Sequence, residues 1–132
     1  MPATDTILVV DDDVGALSAL ADILSIEGYA VQSVSNGREA LDLLSQSRPP
    51  SLIILDLFMP VMDGWQFLAE MKSDARLTKT PVVVVSAIDT QIDADAVFQK
   101  PINLESLLRT VTDLVEAKPV AHSASQRNYL SP

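Results

Sequence analysis

Five polar side chains stand where short apolar runs end, and their types allow one kind of chemistry. Asp11 and Asp12 follow the first apolar run, Asp56 ends the third, Ser86 ends the fourth, a run of valines, and Lys100 follows the fifth. A carboxylate can attack phosphorus, an ammonium group and a carboxylate-bound metal can offset charge on phosphoryl oxygens, and a hydroxyl can donate to one of them. Together these residues could transfer a phosphoryl group onto an aspartate.

Three carboxylates brought this close would repel one another and raise each other's pKa unless a cation lay among them. Convergence of Asp11, Asp12 and Asp56 therefore predicts a metal. All-oxygen ligation favours a hard divalent ion, and a site with few carboxylates suits Mg²⁺ better than Ca²⁺.

The elements that must position these groups alternate along the chain. Five apolar runs lie at residues 7–10, 30–34, 52–55, 82–85 and 96–99. Segments of helical period follow most of them; Gly28 ends the first such segment, and Asn103 is placed to cap the last. Near-continuous apolar strands alternating with helices predict an α/β class with a parallel sheet covered on both faces.

The expected strand order explains why four of the five runs end in a polar residue. In the flavodoxin-like order 2-1-3-4-5, sites form beyond the carboxyl ends of strands one and three, where the order reverses. That doubly wound order places the second strand, which has no polar residue at its end, at an edge of the sheet. The polar ends of the other four strands then lie side by side.

Size and composition set the remaining limits. The 132 residues suit a single domain, at 5–118, and the Ser- and Pro-containing segment 119–132 is expected to be a disordered tail.

No cysteine is present, which excludes thiol chemistry and fits a cytoplasmic protein. A formal charge of −9 disfavours nucleic acid and membrane surfaces, and the only histidine, His122, lies far along the chain as a poor candidate for a triad.

Four motifs in this order, "ILVVDDD", "LDLFMPVMDG", "VVVVSA" and "QKP", resemble the receiver domain of bacterial two-component response regulators, the family of the chemotaxis response regulator. The resemblance covers residues 5–118. It implies that Asp56 accepts a phosphoryl group from a phosphohistidine on a sensor histidine kinase or a histidine phosphotransfer protein. Ser86 would be the switch hydroxyl and Lys100 the cation that pairs with the phosphoryl group, with Pro101 behind a cis peptide.

The same resemblance implies a Mg²⁺ site. Asp11, Asp12 and Asp56 would supply carboxylates, and the backbone carbonyl of Phe58 would complete the protein ligands. The turn formed by Met59-Pro60 and Asp63-Gly64 would keep this pocket open.

Each assignment has a simpler alternative. Asp13 is expected to cap the helix that follows it, and Asp11 and Asp12 could be no more than part of the same acidic helix entry. Asp56 could be a plain strand terminator. Ser86 could be an ordinary turn hydroxyl and Lys100 a solvated surface lysine. Trp65 and Phe67 are expected to pack against the sheet or to lie half exposed, without a chemical role.

The chain departs from the family's pattern between strands four and five. If these strands cover 82–86 and 95–99, eight residues connect them, too few for a helical crossover. The fourth helix of the family's pattern is therefore expected to be truncated or absent. The apolar surface left exposed makes a homodimer with an atypical interface possible.

Two smaller departures concern the switch and the attacking water. Val97 occupies the family's aromatic switch position, and Phe98 beside it should face the other side of the sheet because side chains alternate. Apolar Phe58 and Ile88 stand where family members flank the attacking water, which predicts a long-lived phosphorylated state.

The favoured function is a single-domain response regulator that signals to a downstream protein target and catalyses only its own phosphorylation and dephosphorylation. The alternative is a pseudo-receiver, an interaction module that works without phosphorylation. A Mg²⁺ phosphatase with an aspartyl-phosphate intermediate is disfavoured, because the acid/base carboxylate such enzymes need two residues after the nucleophile is replaced by Phe58.

Overall fold

The computed structural model describes residues 5–117, which form five strands and four helices. In chain order the elements are β1 (Thr6–Val10), α1 (Val14–Ile26), β2 (Ala30–Val34), α2 (Gly37–Ser45), β3 (Leu52–Asp56), α3 (Gly64–Lys72), β4 (Val82–Ser86), β5 (Ala96–Gln99) and α4 (Leu104–Glu116). The last residue of the expected domain, Lys118, the expected tail at 119–132 and His122 lie outside the described residues.

All five strands are parallel, in the order β2-β1-β3-β4-β5, which confirms the flavodoxin-like prediction. β3 and β4 are buried along their whole length and β1 along all but its first residue, whereas β2 and β5 at the two edges are partly exposed. Strands covered on both faces need apolar residues at every position, which is why the three central runs carry the strongest pattern.

Two apolar layers cover the sheet, as expected for a doubly wound fold. On one face α2 and α3 pack over Leu8, Val10, Ile53 and Leu55, with Phe67 fully buried. On the other face α1 and α4 pack over alternate residues of the same strands, namely Ile7, Val9, Leu52 and Ile54. This alternation fixes which strand residues face which pair of helices.

Side chains that cap the helices hold their first turns in place. The carboxylate of Asp13 accepts from the backbone N–H of Ala16, and Asn103 caps α4 in the same way, as both were predicted to do. At α3, the Asp63 and Gln66 side chains each accept from the other's backbone N–H, at 2.9 and 3.0 Å. This reciprocal capping box fixes the turn that follows the candidate site.

The segment from β4 to β5, residues 87–95, is described throughout and contains no helix, which confirms that the family's fourth helix is absent here. Asp95 closes the segment, since its carboxylate accepts from the Val82 N–H at 2.7 Å and its own N–H donates to the Val82 carbonyl at 2.9 Å. Ile92 and Ala94 pack against the α2 and α3 core. The segment thus replaces part of the missing cover with its own side chains.

Within residues 5–117, no helix combines the length and the apolar character needed to cross a bilayer.

Gly64 lets the start of α3 touch the end of β3. A Cβ on this residue would lie 2.7 Å from the Asp56 carbonyl oxygen and 2.8 Å from the Leu57 Cα, and its N–H donates to the Leu57 carbonyl at 2.9 Å. Because these neighbours are backbone atoms of a buried strand end, they cannot move aside cheaply. The Asp-Gly pair predicted as a turn is therefore also a point of close contact.

We expect Gly64→Ala to lower the free energy of unfolding by about 2 kcal/mol, because the added methyl overpacks this contact. Gly15→Ala is the matched control, since the nearest atom to its Cβ lies 3.4 Å away in an exposed helical turn. That variant should match the unaltered chain or be up to about 1 kcal/mol more stable. Urea unfolding measures both, and an unchanged midpoint for Gly64→Ala would contradict the close packing.

Phe98 packs against the α1 and α4 core, as predicted, while Val97 on the other side is 39% exposed. We expect Phe98→Ala to lower the free energy of unfolding by about 2 kcal/mol and to leave phosphorylation intact. Val97→Ala should cost less than about 1 kcal/mol. Urea unfolding and a phosphorylation assay test this together, and full stability with phosphorylation abolished would refute it.

Candidate functional site

The strand order brings the predicted polar residues to one edge of the sheet. Asp11 comes directly after β1, Asp56 is the last residue of β3, Ser86 the last of β4, and Lys100 comes directly after β5. These four strands are consecutive neighbours in the sheet. A backbone hydrogen bond continues the pairing of β4 and β5 to Lys100, whose N–H donates to the Ser86 carbonyl at 2.8 Å.

Three aspartates form the acidic centre of this edge. One carboxylate oxygen from each of Asp11, Asp12 and Asp56 lies within 4.8 Å of the other two. Asp11 and Asp56 are buried, whereas Asp12 is exposed, so the cluster opens toward solvent on one side. Asp11 is oriented by its own turn, since its carboxylate accepts from the Asp13 N–H at 2.9 Å.

Lys100 faces two of these carboxylates without bonding tightly to either. Its Nζ lies 3.7 Å from an Asp11 oxygen and 3.8 Å from an Asp56 oxygen, both longer than a hydrogen bond. With every group ionised, three carboxylates and one ammonium leave a net charge of −3 + 1 = −2. This lysine alone does not neutralise the cluster.

The pKa of Asp56 reflects its burial as well as its acidic neighbours. Burial, and then repulsion from Asp11, raise the pKa of Asp56 from 3.8 to about 6, although Lys100 and a hydrogen bond from the Phe58 backbone N–H act in the opposite direction. The ionised form of Asp56 therefore carries an electrostatic cost in this site. A bound cation would remove that cost.

The donor set fits a Mg²⁺ ion. Hard carboxylate oxygens are its preferred protein ligands, and an octahedral ion keeps opposite ligand oxygens about 4.2 Å apart. The spread of up to 4.8 Å among Asp11, Asp12 and Asp56 is within a small side-chain movement of that distance. A divalent ion would also balance the two net negative charges.

Ser86 lies at the site but is engaged locally. It is fully buried, and its Oγ accepts from the Ile88 N–H at 3.2 Å. This is the turn hydrogen bond of the simpler alternative, and it orients the hydroxyl oxygen before any phosphoryl group binds. The switch role of Ser86 stays a prediction, as does the metal-ligand role of the Phe58 carbonyl.

An aromatic pair in the segment that follows Asp56 was not predicted from the sequence. The rings of Phe58 and Trp65 meet edge to face, with centroids 5.1 Å apart and planes at 77°. The pair spans seven positions across an irregular turn, so neither helical nor strand period could have indicated it. The only available signal was the pair of large aromatic residues flanking the Met-Pro and Asp-Gly turns.

An acidic trio, a lysine and a buried hydroxyl at the carboxyl edge of a doubly wound sheet are the arrangement that the resemblance to a receiver domain implied. The sequence matches the family described as the response regulator receiver domain over residues 7–112. The chain belongs to this family. The family membership predicted from its four motifs is thereby confirmed.

Individual relatives agree with this placement. Response regulator MprA of Mycolicibacterium vanbaalenii is 36% identical over 117 residues, a match that takes in 83% of this chain and 49% of the relative. The chain thus spans about half the length of the curated relatives it matches.

Among solved structures, the signal receiver domain of a signal transduction histidine kinase from Syntrophus aciditrophicus is 30% identical, with a TM-score of 0.81, over 89% of this chain and 99% of that one. Response regulator protein TrrA from Thermotoga maritima, in complex with Mg²⁺–BeF, is 28% identical with a TM-score of 0.76, over 84% of this chain and 99% of that one.

The raised pKa of Asp56 predicts a specific pH dependence of stability in metal-free protein. Because its pKa is higher in the folded chain, folding binds a proton between about pH 4 and 6, and stability falls as the pH rises through that range. We expect Asp56→Asn to be more stable than the unaltered chain at pH 7.5, and this advantage to shrink by about 2 kcal/mol at pH 4.5.

Urea unfolding in EDTA at the two pH values measures this difference. Replacing EDTA by Mg²⁺ is the control, since the ion should stabilise the unaltered chain at pH 7.5 and reduce the advantage of Asp56→Asn. Parallel stabilities of the two proteins at both pH values would contradict the raised pKa.

Proposed function

We propose that this chain accepts a phosphoryl group on Asp56 from a phosphohistidine of a sensor histidine kinase or a histidine phosphotransfer protein, in a Mg²⁺-dependent reaction. The observation that carries the proposal is the meeting of Asp11, Asp12 and Asp56 opposite Lys100 at the edge where four strands end. Membership of the receiver family and the Mg²⁺–BeF complex of TrrA support it.

In the proposed step, an Asp56 carboxylate oxygen attacks phosphorus and forms an O–P bond while the N–P bond of the phosphohistidine breaks. The electron pair of that bond stays on the imidazole nitrogen, which takes a proton from solvent. Lys100 has its Nζ 3.8 Å from Asp56, close enough to reach a phosphoryl oxygen bonded there. The buried Ser86 hydroxyl, whose oxygen accepts from the Ile88 N–H, would donate its own proton to another phosphoryl oxygen.

A Mg²⁺ ion held by Asp11, Asp12, Asp56 and the Phe58 carbonyl would offset charge on the phosphoryl oxygens. The chain's own residues prepare for this. Burial of Asp11 and Asp56 keeps water away from two of the three carboxylates, and the Phe58 N–H stabilises the ionised form of Asp56.

The phosphorylated domain would signal in the cytoplasm through contacts with a downstream protein target. The charge of −9 makes direct binding to nucleic acid or to an anionic membrane unfavourable. A homodimer with an atypical interface stays a prediction. Its physical basis is the partly exposed β5 edge, where Val97 remains 39% exposed beside the helix-free crossover.

Two alternatives predict different behaviour. A pseudo-receiver would keep the fold and bind partners without phosphorylation, and the retained set of three aspartates, Ser86 and Lys100 speaks against it. A phosphatase would need an acid/base carboxylate at position 58, and the apolar side chain of Phe58 cannot transfer a proton.

Incubation with acetyl phosphate and Mg²⁺ tests the proposal. Intact-mass spectrometry should show the addition of one phosphoryl group per chain, and peptide mapping should place it on Asp56. EDTA and Asp56→Asn should each abolish it. Asp12→Asn should reduce the rate at least about tenfold, because one metal ligand is lost.

The matched control is Asp42→Asn, which removes an exposed aspartate of α2 outside the acidic cluster and should phosphorylate like the unaltered chain. A folded chain that gains no phosphoryl group under these conditions would refute phosphorylation and favour the pseudo-receiver. Catalytic turnover of a generic phosphate ester would favour the phosphatase.

A further inference from the structure

Two half-exposed aromatic rings flank the turn that follows the phosphoacceptor, although neither belongs to the core. Phe58 is 47% exposed and Trp65 is 38% exposed, and they meet edge to face with centroids 5.1 Å apart. Edge-to-face contact is the arrangement that the aromatic quadrupole favours. The contact therefore restrains two rings that the core does not hold.

The two partners differ in how firmly their backbones are fixed. Trp65 lies in the first turn of α3, between Gly64, whose N–H donates to the Leu57 carbonyl, and Gln66, which completes the capping box with Asp63. Phe58 lies in the irregular turn between β3 and α3. Trp65 is the fixed member of the pair, and Phe58 is the member that needs support.

Phe58 is tied to Asp56 by its backbone. It is two residues beyond the phosphoacceptor, and its N–H donates to the Asp56 carboxylate. The backbone from which the Phe58 ring branches therefore contacts the carboxylate that would carry the phosphoryl group. A ring held at this place excludes water and offers it no hydrogen bond.

We propose that Trp65 is a positioning residue that slows hydrolysis of the Asp56 acyl phosphate by holding the Phe58 ring beside it. This inference rests on the proposed function. In the hydrolysis, a water oxygen bonds to phosphorus while the bond from phosphorus to the Asp56 oxygen breaks. The aspartate leaves as a carboxylate, and the water's proton passes to the released phosphate or to solvent. Trp65 touches none of these atoms and acts only through Phe58.

The decay of the phosphorylated chain after removal of acetyl phosphate measures the effect. Trp65→Ala should shorten the lifetime about two- to tenfold, the factor that corresponds to an edge-to-face contact of ordinary strength. Trp65→Phe keeps an aromatic partner and should restore most of the lifetime. Ile26→Ala is the control, since it removes an exposed apolar side chain from the far end of α1 and should change nothing.

A double-mutant cycle separates positioning from general loosening of the fold. If Trp65 acts through Phe58, Trp65→Ala added to Phe58→Ala should shorten the lifetime no further than Phe58→Ala alone. Trp65→Leu fills the space without an aromatic face, and it replaces Trp65→Ala in the cycle should that variant fail to fold. An equal further shortening in the Phe58→Ala background would overturn the inference.

Fluorescence gives an independent readout, because Trp65 is the only tryptophan in the sequence. Phe58→Ala should lower its steady-state anisotropy, as the indole loses its edge-to-face partner. Unchanged anisotropy, or an unchanged lifetime in folded Trp65→Ala, would refute the positioning role while leaving Asp56 phosphorylation intact. Failure of the unaltered chain to accept a phosphoryl group would instead refute the proposed function.

Discussion

Repulsion among carboxylates that the backbone holds together is the constraint on which the rest of this structure depends. Asp11 and Asp56 end neighbouring strands whose register is fixed by hydrogen bonds, so they cannot separate without breaking the sheet. Lys100 relieves only part of the charge, from 3.7 and 3.8 Å. Burial of Asp56, and then the remaining repulsion from Asp11, raise the pKa of Asp56 to about 6 and favour a cation at this edge.

The fold serves this edge by making it rigid. β1, β3 and β4 run through the centre of the sheet, where apolar layers on both faces hold them in place. The turn after Asp56 is then fixed by the close approach of Gly64 and by the capping box that begins α3. A carboxylate held this firmly would lose little conformational entropy on reacting, which favours the proposed phosphoryl transfer.

Much of this arrangement was predictable from sequence because it depends on strong local patterns. Apolar runs indicated all five strands, and the polar residue that ends each of four runs indicated the edge where they meet. The short spacing from Ser86 to Ala96 predicted that the crossover helix between β4 and β5 would be truncated or absent. Asp13 and Asn103 were predicted as caps because an N-cap needs only a short acceptor side chain just before a helix.

Contacts across irregular turns were not predictable in the same way. The edge-to-face pairing of Phe58 with Trp65 depends on the path of a turn, as does the closure of the β4–β5 segment by the Asp95 carboxylate on Val82. No period marks such contacts. The upward shift in the pKa of Asp56 was predicted from repulsion among the carboxylates, but its largest cause is burial, which only the folded chain reveals.

The proton balance of Mg²⁺ binding tests the electrostatic account most directly. Calorimetric titration at pH 6 in buffers of different ionisation enthalpy gives the number of bound ions and the protons released. The account predicts one ion per chain and release of about half a proton, because Asp56 is about half protonated at that pH, with no release from Asp56→Asn. Mg²⁺ binding that releases no proton and survives Asp56→Asn unchanged would contradict it.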